Sequence, residues 1–204
     1  MSAIKNIVFD FGGVLLDWNP RYLYKDYFKD EKEMEYFLSE ICNSEWNVQQ
    51  DAGRPFAAAV KLLQAQYPQY SEAIRMYDEY WYKMLKCEFP ESIALLKELK
   101  SLGYGIYGLT NWSAEKIGYA FSNYEFFGLF DGIVVSGDEK VAKPDPKIYR
   151  ILLERYGLVP GECVFLDDNA DNVKAAEALG INAIRFDNIN NVKNNLASLL
   201  GRNL

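Results

Sequence analysis

Asp10, Thr110, Lys143 and the adjacent pair Asp167-Asp168 are the residues whose types and placing point to chemistry. Short apolar runs end at three of them: IVF before Asp10, YGIYGL before Thr110 and CVFL before Asp167. Strand ends in a parallel sheet face one crevice, so groups far apart in sequence can converge there. A carboxylate can attack an electrophile or hold a hard cation, while a hydroxyl and an ammonium can hold an anion. The chain has no histidine. Imidazole acid–base work and histidine-based metal sites are therefore excluded, which leaves carboxylates, hydroxyls, amines and a hard metal ion.

Each residue also has a plainer reading. Asp10 before Gly12-Gly13 fits a turn-capping aspartate as well as a nucleophile. Thr110 with Asn111 fits an anion-holding strand end followed by a helix N-terminus, or an ordinary helix start capped by Ser113. Lys143 lies in VAKPDP, where two prolines forbid a helix and fix the loop, although most lysines are solvated. Asp167 and Asp168 repel each other unless a cation or donor compensates, which favours metal binding over capping. Asp171 and Asn172 read as caps of the next helix.

These groups need a scaffold, and the chain spells one out. Residues 4–9 form a first strand, and residues 11–16 a tight turn with a second extended piece. Four stretches between residues 20 and 89 carry apolar residues at helical spacing: 21–28, 31–41, 56–67 and 71–86. Residues 91–102 form a helix stopped by Gly103. Strands at 104–109, 132–135, 163–166 and 183–186 then alternate with helices at 114–122, 146–156 and 172–179, and a last helix closes the chain. Brief strands with helical returns specify a parallel sheet. The expected fold is α/β: a Rossmann-like parallel-sheet core of residues 1–17 and 90–204 with an inserted α-helical cap of residues 18–89.

The 204 residues carry 22 Lys and Arg against 29 Asp and Glu, a net charge of −7. That balance disfavours nucleic acid and anionic membrane as partners. Cys42, Cys87 and Cys163 fit neither a disulfide framework nor a zinc site, and a reduced cytoplasmic setting is expected. No secretory signal or membrane span is expected either. The sequence does not set an oligomeric state.

Strand-end Asp10, then Thr110, Lys143 before a proline and the Asp167-Asp168 loop, with a helical insertion after the first motif, together resemble the haloacid dehalogenase superfamily. The order covers the whole chain and the combined pattern is specific. DFGGVL and DDNADN look like the capped branch, subfamily IA-like, that includes sugar-1-phosphate phosphatases and epoxide-hydrolase-like proteins. The resemblance implies hydrolysis of a small phosphorylated metabolite, with a sugar phosphate as the first expectation. Asp10 would attack phosphorus to form an aspartyl phosphate that water then cleaves. By the same resemblance Mg2+ would be held by Asp10, the Gly12 carbonyl and Asp168, with Asp167 assisting, while Lys143 and Thr110 balance the phosphate oxygens.

The chain departs from that pattern at Gly12, where family phosphatases usually carry a second aspartate as acid and base. Loss of such a group costs on the order of 100- to 10,000-fold in rate. Three outcomes remain: an easy leaving group, a substitute from the cap or water, or no catalysis. A 2-haloacid dehalogenase also lacks that aspartate, but its third loop binds no metal, whereas Asp167-Asp168 suits Mg2+. A non-catalytic phosphate-binding domain is the third alternative. Substrate choice is expected in the insertion, from Asp17, Trp18, Arg21, Trp46, Asn47, Gln50, Asp51 and Arg54, with Asn111 beside the phosphate. Helix packing explains the tryptophans as well, and a surface salt bridge explains the arginines. Tyr77, Tyr80, Trp81 and Tyr82 are expected to be cap core without a ligand.

Overall fold

The computed structural model describes residues 3–204; residues 1 and 2 of the expected core segment lie outside the described residues. Strand β1 (Asn6–Phe9) is followed by β2 (Leu16–Trp18), and five helices come next. These are α1 (Arg21–Tyr24), α2 (Glu31–Tyr36), α3 (Ser44–Asp51), α4 (Phe56–Gln66) and α5 (Ser71–Glu79). Strand β3 (Leu85–Glu88) pairs antiparallel with β2, so a two-stranded ribbon lies where the helical insertion leaves and rejoins the sheet. The apolar spacing alone predicts a helix through residue 86 instead. The apolar spacing of WYKML continues the helical pattern, but pairing with distant β2 overrides it.

The rest alternates: α6 (Pro90–Ser101), β4 (Gly105–Thr110), α7 (Ile117–Asn123), β5 (Gly132–Val135), α8 (Ser136–Glu139), α9 (Pro146–Tyr156), β6 (Cys163–Asp167), α10 (Ala170–Glu177), β7 (Asn182–Arg185) and α11 (Ile189–Leu200). The five-stranded sheet runs β5-β4-β1-β6-β7, and every pairing in it is parallel. The chain leaves β1 toward β4 and β5, then returns to the other side for β6 and β7. That reversal opens a crevice at the carboxyl ends of the strands around β1.

Both faces of the sheet are covered, as a parallel sheet requires. Ile7, Phe9, Val164 and Leu166 belong to one buried cluster, and Val8, Cys163 and Phe165 to the other. The alternation along β1 and β6 follows from the two-residue period of a strand. Carried to the end of β6 and one residue past β1, it puts Asp167 and Asp10 on the face of Phe165 and Val8, toward α9 and α10. Capping fixes these helices. Asp145 accepts from the Lys147 amide at 2.8 Å with Pro146 in the first turn, and Asn169 accepts from the Asp171 amide at 2.8 Å. Among the described residues no helix is long and apolar enough to cross a membrane.

Candidate active site

Asp10 sits one residue past β1, its amide donating to the Leu166 carbonyl at 2.9 Å. Its Oδ1 accepts from the Phe11 amide at 2.7 Å and is ion-paired with Lys143 Nζ at 2.9 Å. Oδ2 accepts from no group among the described residues, and Asp10 lines a cavity of about 410 Å3. Burial pushes the carboxyl up to about 7; Lys143 pulls it down, while Asp167 and Asp168 add to the rise.

Lys143 is not solvated but 2% exposed. Its ammonium donates to the Leu109 carbonyl at 2.8 Å and to Asp167 Oδ2 at 2.7 Å, and it forms an ion pair with Asp10 Oδ1 at 2.9 Å. Burial disfavours its charge, but Asp10 and Asp167 outweigh it, and the pKa lies above the ordinary lysine value. The Asn111 side chain clamps the lysine's backbone, donating to the Lys143 carbonyl at 2.9 Å and accepting from its amide at 2.8 Å.

Asp167 is fully buried, and its oxygens accept from Lys143, the Asn169 amide and the Asn172 side chain. Its bonds hold Lys143 in place, whereas Asp168 is exposed and lines the cavity. Burial and the neighbouring Asp167 raise the Asp168 pKa. Asn172 is therefore no helix cap: Asn169 caps α10, and Asn172 reaches back to both oxygens of Asp167 at 3.0 Å. Its position five residues after Asp167, on the first turn of a helix, was the available signal.

Thr110 is buried and its Oγ1 is without a hydrogen-bond partner among the described residues. A buried hydroxyl left unpaired is uncommon away from a ligand site. The helix that follows it in sequence, α7, begins only at Ile117. The expected Ser113 cap instead accepts from the Glu115 amide in a turn before that helix. Oxygens of Asp10, Asp167 and Asp168 lie within 4.8 Å of one another. Three acidic groups face one ammonium there, and an all-oxygen donor set of this kind suits a hard cation such as Mg2+. Gly12 lines the same cavity.

A family model described as a haloacid dehalogenase-like hydrolase matches residues 4–180. The chain belongs to that family. A sesquiterpene phosphatase of Aspergillus oryzae is 31% identical over 184 residues, 88% of each chain. An (S)-2-haloacid dehalogenase of Burkholderia cepacia is 32% identical over 106 residues, which are 52% of this chain and 46% of that one. Among solved structures, a haloacid dehalogenase family enzyme of Bacteroides thetaiotaomicron, in its magnesium complex, superposes with a TM-score of 0.71. It is 24% identical and the match covers 90% of this chain and 93% of the other, a likeness of fold.

The hydrolase's insertion forms the opposite wall. Trp18, Asn47, Asp51 and Trp81 line the first cavity together with Trp112, so Trp81 is more than cap core. The indole nitrogens of Trp18 and Trp112 are buried and unpartnered among the described residues. A second cavity, about 570 Å3, is lined by Arg21, Leu38, Cys42, Tyr77 and others, and it shares Trp18, Asn47 and Asp51 with the first. Burial raises the Asp51 carboxyl to about 7, the Ser113 amide opposing it.

Other expected pocket residues are engaged elsewhere. Arg21 lines the second cavity, but its guanidinium forks onto Glu35 at 2.6 and 2.5 Å. Trp46 lines neither cavity; it is buried against Phe56 and Tyr77 in the insertion's core, where helix packing claims it. Arg54 donates to Gln50 at 2.6 Å and lies over the Trp46 ring, and Gln50 is fully buried. Asp17 accepts from the Tyr22 hydroxyl at 2.8 Å.

Proposed function

We propose that this hydrolase is a Mg2+-dependent phosphatase that cleaves a small sugar phosphate through an aspartyl phosphate on Asp10. The observation that carries the reading is the unequal state of the two Asp10 oxygens. Oδ1 is held by Lys143 and the Phe11 amide, which aims the carboxylate and leaves Oδ2 free at the cavity. Orientation of this kind makes the attack effectively unimolecular. Lys143 keeps its proton beside two carboxylates, so it stays a fixed positive charge that orients Asp10. Asp167 and Asn172 hold that charge in position. The unpaired Thr110 hydroxyl supplies one donor for a phosphoryl oxygen.

Asp10, the Gly12 carbonyl and Asp168, with Asp167 behind them, would hold Mg2+; when bound it supplies positive charge that balances the carboxylates and the phosphoryl oxygens. The surplus of acid over ammonium at these strand ends supports metal-dependent phosphate chemistry over haloacid chemistry, because a divalent cation held there would offset both the carboxylates and a dianionic substrate. The lining supports a sugar over an isoprenoid chain. Asn47, Asp51, Asn111 and Asn169 offer polar partners for hydroxyls beside the three indoles, on which a sugar face can stack.

Phosphate release is the test, using hexose 1- and 6-phosphates, acetyl phosphate, 4-nitrophenyl phosphate and a sesquiterpenyl monophosphate, with Mg2+ or with EDTA. Turnover that EDTA abolishes and that Asp10→Asn lowers at least 1,000-fold is expected, on the order seen when a covalent nucleophile is removed. Chloride release from 2-chloropropionate without any phosphatase activity would replace the reading with a dehalogenase.

A further inference from the structure

Gly12 leaves the nucleophile loop without a proton donor, and neither crowding nor strain demands glycine there. A Cβ built at Gly12 meets no heavy atom within 4 Å, and its backbone lies outside the left-handed region. The next residue differs: Gly13 has φ +73° and a Cβ there would come 2.5 Å from Asp168 Oδ2. The donor missing at position 12 must therefore be sought on the other wall. In-line displacement sets where to look, because the leaving oxygen departs on the side of phosphorus opposite the attacking Asp10. Of the residues that line the cavity with Asp10, the insertion supplies Trp18, Asn47, Asp51 and Trp81.

On that wall Asp51 is the carboxyl common to both cavities. With the phosphoryl group at Asp10 and the rest of the substrate in the second cavity, the scissile P–O bond must cross the seam formed by Trp18, Asn47 and Asp51. The aspartate is firmly placed. Asn47 Nδ2 donates to its Oδ2 at 2.9 Å, and the Tyr77 hydroxyl donates to Asn47 Oδ1 at 3.1 Å. Ser136 Oγ, at the start of α8 in the core, donates to the Asp51 carbonyl. Asp51 also stands outside the Asp10–Asp167–Asp168 cluster, so no metal ligand role competes.

We propose, resting on the phosphatase reading, that Asp51 is the proton donor to the leaving group, in place of the absent carboxylate at position 12. As the Asp10 Oδ2–P bond forms and the P–O bond of the ester breaks, the proton on the Asp51 carboxyl passes to the departing oxygen. The products are the alcohol, the aspartyl phosphate and an ionised Asp51. The burial that lifts this carboxyl to about 7 keeps a protonated fraction available near neutral pH.

The test compares kcat/KM, which reports steps up to phosphoenzyme formation, for glucose 6-phosphate and 4-nitrophenyl phosphate in wild type, Asp51→Asn and Asp51→Asn/Gly12→Asp. A sugar alkoxide needs protonation and a nitrophenolate barely does. Asp51→Asn is expected to lose about 100-fold or more on the sugar phosphate, with a penalty at least tenfold smaller on the nitrophenyl ester. Adding Gly12→Asp should recover at least tenfold on the sugar phosphate, since the space is open. Equal penalties on both esters with no recovery would overturn the assignment, as would wild-type turnover confined to acetyl and nitrophenyl phosphates. Silence of the wild type on every phosphate overturns the phosphatase reading first, and so separates the two failures. Retained turnover of the nitrophenyl ester shows at once that Asp51→Asn has folded.

Discussion

Asp10 and Asp168 on the sheet side and Asp51 on the insertion side line one cavity, yet unlike neighbours hold them. At the strand ends one buried ammonium faces three carboxylates, bonded to Asp167 and paired with Asp10. Across the cavity the Asp51 side chain meets an amide side chain and a backbone N–H, with no cation bonded to it among the described residues. Burial raises both Asp10 and Asp51 to about 7, but Asp10 lies against a fixed ammonium and two further carboxylates, whereas Asp51 lies among neutral dipoles. The sheet side is thus built to attack and to bind charge, and the insertion side to exchange a proton.

Three further experiments press on that contrast. The largest effect should come from Lys143→Met, which leaves Asp10 and Asp167 buried without their cation. Breaking a buried pair in this way costs about 3–5 kcal/mol, so melting should fall by roughly 6–20 °C, with phosphatase activity lost. An unchanged melting temperature would mean that the acids relax by taking up protons.

Second comes the pH dependence of stability in EDTA. Asp51 has a folded pKa of about 7, above its unfolded value near 3.9, so the folded state binds the extra proton between those values. The Asp51 contribution to stability should therefore be full below about pH 4 and decline as pH rises toward 7. Asp10 is raised in the same direction. Urea midpoints at pH 5 and pH 7 should show a smaller decline in Asp51→Asn, by at most about 1.4 kcal/mol per pH unit; identical slopes would remove the contrast. The smallest effect belongs to Arg21→Ala. Its pair with Glu35 is half exposed on both sides, and such pairs contribute about 0–1 kcal/mol. A large loss of sugar-phosphate kcat/KM in this variant would instead give Arg21 a role at the second cavity.

The sheet side was the more legible in the sequence. Parallel strands buried on both faces read as unbroken apolar runs, so their polar endings Asp10, Thr110 and Asp167 stood out. The lysine's burial did not, because it depends on Asn111 and Asp167, 32 and 24 residues away. Helix α3 escaped notice for a different reason. SEWNVQQD has no apolar stripe, and its best signal was Asn43, whose side chain accepts from the Trp46 amide at 2.8 Å. That helix ends at Asp51, which reached the candidate pocket by composition alone. Trp46, from the same helix, turns the other way into the packing of Phe56 and Tyr77.

The two adjacent glycines after Asp10 carry an evolutionary consequence. Codons for glycine lie one base from those for aspartate or glutamate, and a Cβ at position 12 meets nothing within 4 Å, whereas one at position 13 meets Asp168 from a left-handed backbone. The lineage of this protein stays one substitution from a loop-borne acid. Drift at residue 51 is thereby buffered, and mutational libraries should enrich acidic residues at position 12 and purge every replacement at position 13.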